Sequence, residues 1–276
     1  MSIYPFAKTL NIAHRGARSL APENTLAAAR LGLESGADMW ELDAAVTQDE
    51  ELVVLHDDTL ERTSNARQIF PQRAPWSVHH FTLAELRQLD FGAWFNEQDP
   101  FGQIAAGKVT AEMQAGYVGL PIPTLREALL FTREHDWRVN VEIKDAGGTP
   151  GGAFVAERTA ALIEELGMVE RVLISSFNHS YLLRVKAANP RLSTAALVET
   201  YIPDPAALVQ GLGAQVYHPG EDCIRLEEIA ALRRAGVEVN VWTVNDVEQM
   251  RALIENGASG IITDFPQALH EILAEE

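Results

Sequence analysis

Eight short apolar runs recur along the chain, nearly every one followed by a helical stretch, and that rhythm narrows the fold more than any single motif. The runs fall at about 10–13, 39–43, 138–143, 171–175, 193–198, 214–218, 237–242 and 259–263. Most do not alternate polar with apolar, as expected of parallel strands covered on both faces. Helical patterns span 24–35, 124–135, 154–166, 179–188, 205–212, 226–235 and 247–256, and Gly36, Gly167, Gly213, Gly236 and Gly257 stand just past five of them. Glycine is the residue that closes a helix in the left-handed conformation at least cost. Strand, helix and stop in this count predict an α/β chain folded as a TIM (β/α)8 barrel, a single catalytic domain over 1–276.

Two stretches break the rhythm. Glu51 to His56 makes a ninth apolar run, one too many for the barrel. It follows the polar turn Asp49-Glu50, so it reads as the return arm of a hairpin extending the second strand, which would swing His56 back toward Glu41 and Asp43. Residues 57–123 then form an insertion after the second strand. An insertion of that length in a βα loop is usually functional or disordered. It holds a helix start with capping-box spacing, Thr82 and Glu85, and an aromatic cluster of Phe91, Trp94, Phe95 and Phe101. The glycine patch from Gly147 to Gly152 reads as a flexible loop over the site.

The chemistry-bearing residues sit inside or at the ends of these runs. Glu41 and Asp43 are two apart on one strand, so both carboxylates leave the same face. Like charges so placed repel unless a cation or proton lies between them. Glu142 and Lys144 repeat the device on the next barrel strand, bringing three acids toward one point. A single strand acid is ordinarily paired with an Arg or Lys, but three that converge ask for a metal. Oxygen-only ligands favour one hard divalent cation, Mg²⁺ or Ca²⁺, over zinc, which recruits His or Cys. His14 and His56 each end an apolar run, where barrel enzymes keep their catalytic groups, and imidazole titrates near neutrality.

His14-Arg15-Gly16, Pro22-Glu23-Asn24-Thr25, Glu41-x-Asp43, His56-Asp57, Leu60-x-Arg62-Thr63, Val141-Glu142-Ile143-Lys144, Ser176-Phe177-Asn178, Trp242-Thr243-Val244-Asn245 and Thr263-Asp264-x-Pro266 occur in that order. Together, from about Asn11 to about Ala268, they resemble the glycerophosphodiester phosphodiesterase family. The resemblance implies metal-dependent hydrolysis of small glycerophosphodiesters to sn-glycerol 3-phosphate and an alcohol. Glu41, Asp43 and Glu142 would hold the metal, and His14 and His56 would exchange protons with nucleophile and leaving group. Arg15 and Lys144 would contact the phosphoryl oxygens, and Trp242, with Phe177 and Glu199 as companions, would wall the glycerol or head-group pocket. Asn24 reads as a helix cap, Glu23 as a group orienting His14 or Arg15, Asp264 and Pro266 as the seat of the last helix, and His218 as a further pocket candidate. The insertion is longer than the family's usual one, and Arg62-Thr63-Ser64 replaces its common Arg-Thr-Thr.

A phospholipase D-like phosphodiesterase acting on lysophospholipids or sphingomyelin is the competing enzymatic reading. It would need an exposed apolar rim, for which Phe91, Trp94, Phe95 and Phe101 are the candidates. A catalytically silent, metabolite-binding barrel is the third, although no acid or histidine of the pattern is missing. The formal charge of −17 argues against nucleic acid as a partner, since that binding depends on clustered Lys and Arg. Cys223 is the single cysteine and leaves no intrachain disulfide, while the opening ten residues lack a signal-peptide pattern and no run is long enough for membrane insertion. A cytoplasmic protein is the expectation.

Overall fold

The computed structural model describes residues 8–275, so most of the opening stretch read above as lacking a leader lies outside the described residues. Eight parallel strands close a barrel: β1 (Leu10–Ala13), β2 (Met39–Val46), β4 (Val139–Ile143), β5 (Val172–Ser176), β6 (Ser193–Val198), β7 (Val216–Pro219), β8 (Glu238–Val241) and β9 (Gly260–Thr263). They pair in the order β1-β9-β8-β7-β6-β5-β4-β2, and β1 pairing with β2 closes the ring. Around them run α1 (Leu26–Glu34), α6 (Leu125–Glu134), α7 (Val155–Glu165), α8 (His179–Ala188), α9 (Pro205–Gly211), α10 (Leu226–Arg234), α11 (Val247–Glu255) and α12 (Pro266–Ala274). All five glycine stops take positive φ, between 61° and 81°. Among the described residues no helix is long and apolar enough to cross a membrane.

The strands read as unbroken apolar runs because each serves two apolar surroundings. Leu10, Ile12, Met39, Leu173, Ala195, Val216 and Ile262 fill the barrel interior. Their neighbours of opposite parity, such as Ala13, Trp40, Leu42, Val139 and Val141, pack under the helices. Burying both faces removes any polar alternation from the sequence. Each fully buried aliphatic side chain contributes roughly 1.5–3 kcal/mol, so both layers hold the rim in place.

The ninth run is β3 (Leu52–Val54), antiparallel to β2 and outside the barrel, with Ala44 opposite Val54 and Val46 opposite Leu52. Its turn is held by Thr47, whose Oγ1 accepts from Glu51 N at 2.9 Å and donates to Asp49 Oδ1 at 2.6 Å. Beyond β3, Leu55 N donates to Asp43 O at 2.9 Å, so the arm returns to the acids as the hairpin reading required.

Between β3 and α6 lie four short helices, α2 (Ala66–Ile69), α3 (Leu83–Leu86), α4 (Ala93–Gln98) and α5 (Ala111–Tyr117). The Thr82–Glu85 capping box forms at α3. The aromatic cluster does not make an exposed rim: Phe91, Trp94 and Phe95 are 4%, 8% and 0% exposed. Trp94 and Phe95 pack with Tyr117 against Ala21 and Ala28, because a segment this size needs an apolar seam of its own to dock on the barrel. The glycine patch is exposed at Gly147 and Gly148 and closely packed at its far end, where a Cβ on Gly151 would meet Val46 at 2.9 Å, so glycine there serves close approach to the hairpin. Thr25 rather than Asn24 caps α1, accepting from Ala28 N at 3.2 Å, while Asn24 turns inward at φ +58°.

Candidate active site

The period of two along β2 points Glu41 and Asp43 into the barrel mouth, and parallel register sets Asp43 beside Glu142 on β4. Ligand atoms of the three carboxylates lie within 4.8 Å of one another. Glu41 is 3% and Asp43 1% exposed. Arg15 N donates to Glu41 Oε2 at 2.9 Å, and Arg15 Nε stands 3.4 Å from Asp43 Oδ2. That reach depends on the turn after β1, where Arg15 sits at φ +54° and Gly16 at φ +81°. A Cβ on Gly16 would fall 2.5 Å from the Ala28 carbonyl carbon, so only glycine lets α1 approach. Asn24 clasps Asp43 from both sides, Nδ2 donating to Asp43 Oδ2 at 2.8 Å and Oδ1 accepting from Asp43 N at 3.2 Å. Lys144 Nζ donates to Glu142 Oε1 at 2.8 Å and lies 3.7 Å from Asp43 Oδ1.

Three acids thus face two cations, Lys144 and Arg15, and Arg15 also donates to Glu23 Oε1 at 2.7 Å. Burial, then Asp43 and Glu142, pushes the Glu41 carboxyl well above its ordinary range. Burial and Asp43 likewise raise Glu142. Burial acts on Asp43 in the same direction, but Arg15, Lys144 and His56 outweigh it and hold that carboxyl low. Asp43 Oδ1 is buried without a hydrogen-bond partner. An orphaned carboxylate oxygen amid uncompensated negative charge fits a divalent cation, and the all-oxygen donor set suits a hard one.

Each histidine is fixed through Nδ1. His14 lies 2.7 Å from Asp264 Oδ1, and Asp264 is held by Asn245, whose Nδ2 donates to Oδ2 at 2.8 Å. His56 lies 2.7 Å from Asp57 Oδ1, and Asp57 Oδ2 accepts from Arg62 Nε at 2.7 Å. A carboxylate can only accept, so both rings carry the proton on Nδ1 and leave Nε2 for other work. Burial and the Arg15 charge push His14 below its ordinary value, only partly opposed by Asp264. Asp264 does more than seat α12, and its contact with His14 was not read from the sequence because the two are 250 residues apart. The motif Thr263-Asp264-x-Pro266 was the available signal.

His14, Glu41, Asn140, Glu142 and Trp242 line one cavity at this mouth, with Leu197 and Ile262. Phe177 stands edge-on to Trp242 at 5.4 Å, 37% exposed. Glu199 is not brought to this cavity: it is exposed past the end of β6, whose contribution to the wall is Leu197. His218 is sealed inside the barrel, 0% exposed, its Nε2 2.9 Å from Asn240 Nδ2, and burial pushes it down to about 3.

Fold and site together define an α/β-barrel enzyme whose C-terminal rim presents a buried cluster of three acids, able to hold a cation, flanked by two carboxylate-held imidazoles. Residues 14–268 match the Glycerophosphoryl diester phosphodiesterase family, and the chain belongs to that family. It is 36% identical over 262 residues to a glycerophosphodiester phosphodiesterase of Caldanaerobacter subterraneus, covering 95% of this chain and 96% of the relative. A glycerophosphodiester phosphodiesterase of Bacillus altitudinis is 32% identical over 266 residues, covering 95% and 97%. Among solved structures, a phosphodiesterase of Oleispira antarctica in complex with the product sn-glycerol-3-phosphate superposes with a TM-score of 0.80 at 26% identity, covering both chains fully.

Proposed function

We propose that this protein hydrolyses small glycerophosphodiesters to sn-glycerol 3-phosphate and an alcohol, the whole chain acting as one catalytic unit. The observation that carries the reading is the convergence of Glu41, Asp43 and Glu142 on one point beside His14, whose Nδ1 is held by Asp264 at 2.7 Å. The product bound by the similar Oleispira antarctica enzyme supports the same substrate class. A divalent cation held by the three carboxylates, Mg²⁺ or Ca²⁺, would supply positive charge to the phosphoryl oxygens. Arg15 and Lys144 add fixed positive charge on the same side, where the phosphoryl group gains negative charge in the transition state. His14, kept neutral by its burial and by Arg15, is suited to take a proton from the nucleophile. His56, at the end of the hairpin arm and held by Asp57, would then give one to the leaving alcohol. Trp242 and Phe177 offer the glycerol or head group an apolar wall.

Phe91, Trp94 and Phe95 are buried and only Phe101 of the four aromatics is partly exposed, which favours the small substrate over a lysophospholipid. Purified protein offered glycerophosphocholine and lysophosphatidylcholine side by side, with Mg²⁺ or Ca²⁺, should release sn-glycerol 3-phosphate from the first. Turnover of the lipid alone would reverse the ranking.

A further inference from the structure

The two imidazoles are joined by an unbroken line of charged contacts, and its midpoint is a buried carboxylate outside the cation cradle. From His14 the line runs to Asp264 at 2.7 Å and then to Arg18, whose NH1 is 3.5 Å from Asp264 Oδ1 and whose NH2 is 3.0 Å from Glu23 Oε2. From His56 it runs to Asp57, then to Arg62, whose NH1 and NH2 donate to Glu23 Oε2 and Oε1 at 2.9 and 2.7 Å. Glu23 is 5% exposed, and Arg15 completes its set of three guanidinium partners. Both arginines are also braced by the segment between β3 and α6. Arg18 lies 5.2 Å over the Phe101 ring, and Arg62 lies 5.9 Å over that of Trp94. Stacking on a ring fixes the plane of a guanidinium, and with it the direction of the bond it offers the aspartate.

We propose that Glu23 is a positioning residue that sets both imidazoles at once, acting through Arg18 and Asp264 on His14 and through Arg62 and Asp57 on His56. This inference rests on the reading of His14 and His56 as the proton-transfer pair. The physical case is that a carboxylate holding several guanidinium forks admits one arrangement, and two of those forks in turn meet an aspartate, Arg62 through Nε and Nη2 on Asp57 and Arg18 through Nη1 on Asp264. If either aspartate shifts, the Nδ1–H bond loosens and that ring's Nε2, the proton acceptor on His14 and the donor on His56, swings off its line. The aromatic residues of the 57–123 segment then serve as platforms for the arginines, which gives that segment a part in the site without its touching a substrate.

The test is the imidazole nitrogen spectrum of the full-length protein, with the two rings assigned by His14→Gln and His56→Gln. In Glu23→Gln, which keeps the shape and removes the charge, we expect the Nδ1 signals of both rings to move together. On glycerophosphocholine, kcat should fall by about 10- to 100-fold, as for other groups that act through a ligand or catalytic residue, while KM stays within about threefold. Arg18→Met should move the His14 signal alone, and Arg62→Met the His56 signal alone. Glu23→Gln signals that stay in place, or move at one ring only, would overturn the proposal. If Glu23→Gln does not fold, the two arginine variants decide: each must move its own histidine, and failure of either overturns it. The spectra need no substrate, so a wild-type enzyme inactive on glycerophosphodiesters would sink the proposed function without deciding this point.

Discussion

His14 and His56 make the same bond, Nδ1 to a carboxylate at 2.7 Å, by opposite means. The partner of His56 is the next residue, on a hairpin arm, and the ring is 33% exposed. The partner of His14 comes from the far end of the chain, after β9, and its ring is 13% exposed. The first bond joins neighbours in sequence, with Arg62 and Glu23 bracing the aspartate, whereas the second exists only when β1 pairs with β9, with Ala13 opposite Thr263. One half of the proposed proton-transfer pair is therefore written locally and the other is assembled by barrel closure. Loosening the last strand and helix should disarm His14 before it disturbs His56.

The contrast can be broken most sharply at the rings themselves. His14→Ala and His56→Ala should each lower kcat/KM by about 10²- to 10⁴-fold with the circular dichroism spectrum unchanged. Near wild-type turnover in either would remove that ring from the mechanism. The carboxylates should separate the two arms. Asp264→Asn, in a closed site with Asn245 and Arg18 as its other partners, should cost near the upper end of about 10- to 100-fold. Asp57→Asn, where water can reach the more open ring, should fall near the lower end. Equal losses would mean that exposure does not distinguish the arms.

Much of this was legible in the sequence, and the reasons are local. Strands that face two apolar layers read as unbroken runs, and five helices end on glycines that take positive φ. The pair Glu41 and Asp43 follows from a period of two, and His56-Asp57 is a neighbouring dipeptide. What escaped was tertiary. The bond from His14 to Asp264 is a product of ring closure, and no spacing encodes it. Trp94 and Phe95 suggested a surface, because short helices with aromatic seams carry no period that reveals burial. Glu199, offered by the family resemblance as a companion of Trp242, is exposed past the end of β6, beyond the strand that carries Leu197 to the cavity wall.

A smaller effect sharpens the division between rim and barrel interior. His218 is buried neutral, pushed from its ordinary 6.5 down to about 3, so in the unfolded chain it takes a proton that the folded protein refuses. The unfolded state binds more protons in that window, and stability must therefore fall as pH drops from about 6.5 toward 3. At about 1.4 kcal/mol per pH unit the loss reaches at most about 5 kcal/mol. His218→Gln should flatten the acid limb of Tm against pH, and an unchanged limb would locate the acid sensitivity elsewhere. Smaller still is the proton balance of the cradle. Because Glu41 and Glu142 are held above the ordinary carboxylate range, cation binding should release protons and weaken as pH falls, which calorimetry in buffers of different ionisation enthalpy reads directly.

The most direct test of the central claim follows the phosphorus signal of glycerophosphocholine as the purified protein acts on it, first with Mg²⁺ or Ca²⁺, then with chelator, then with the cation restored. We expect sn-glycerol 3-phosphate as the phosphorylated product, its formation stopped by the chelator, recovered on restoration, and absent in Glu41→Ala. Choline phosphate as the product, or turnover indifferent to the chelator, would contradict a cation cradle working beside two imidazoles.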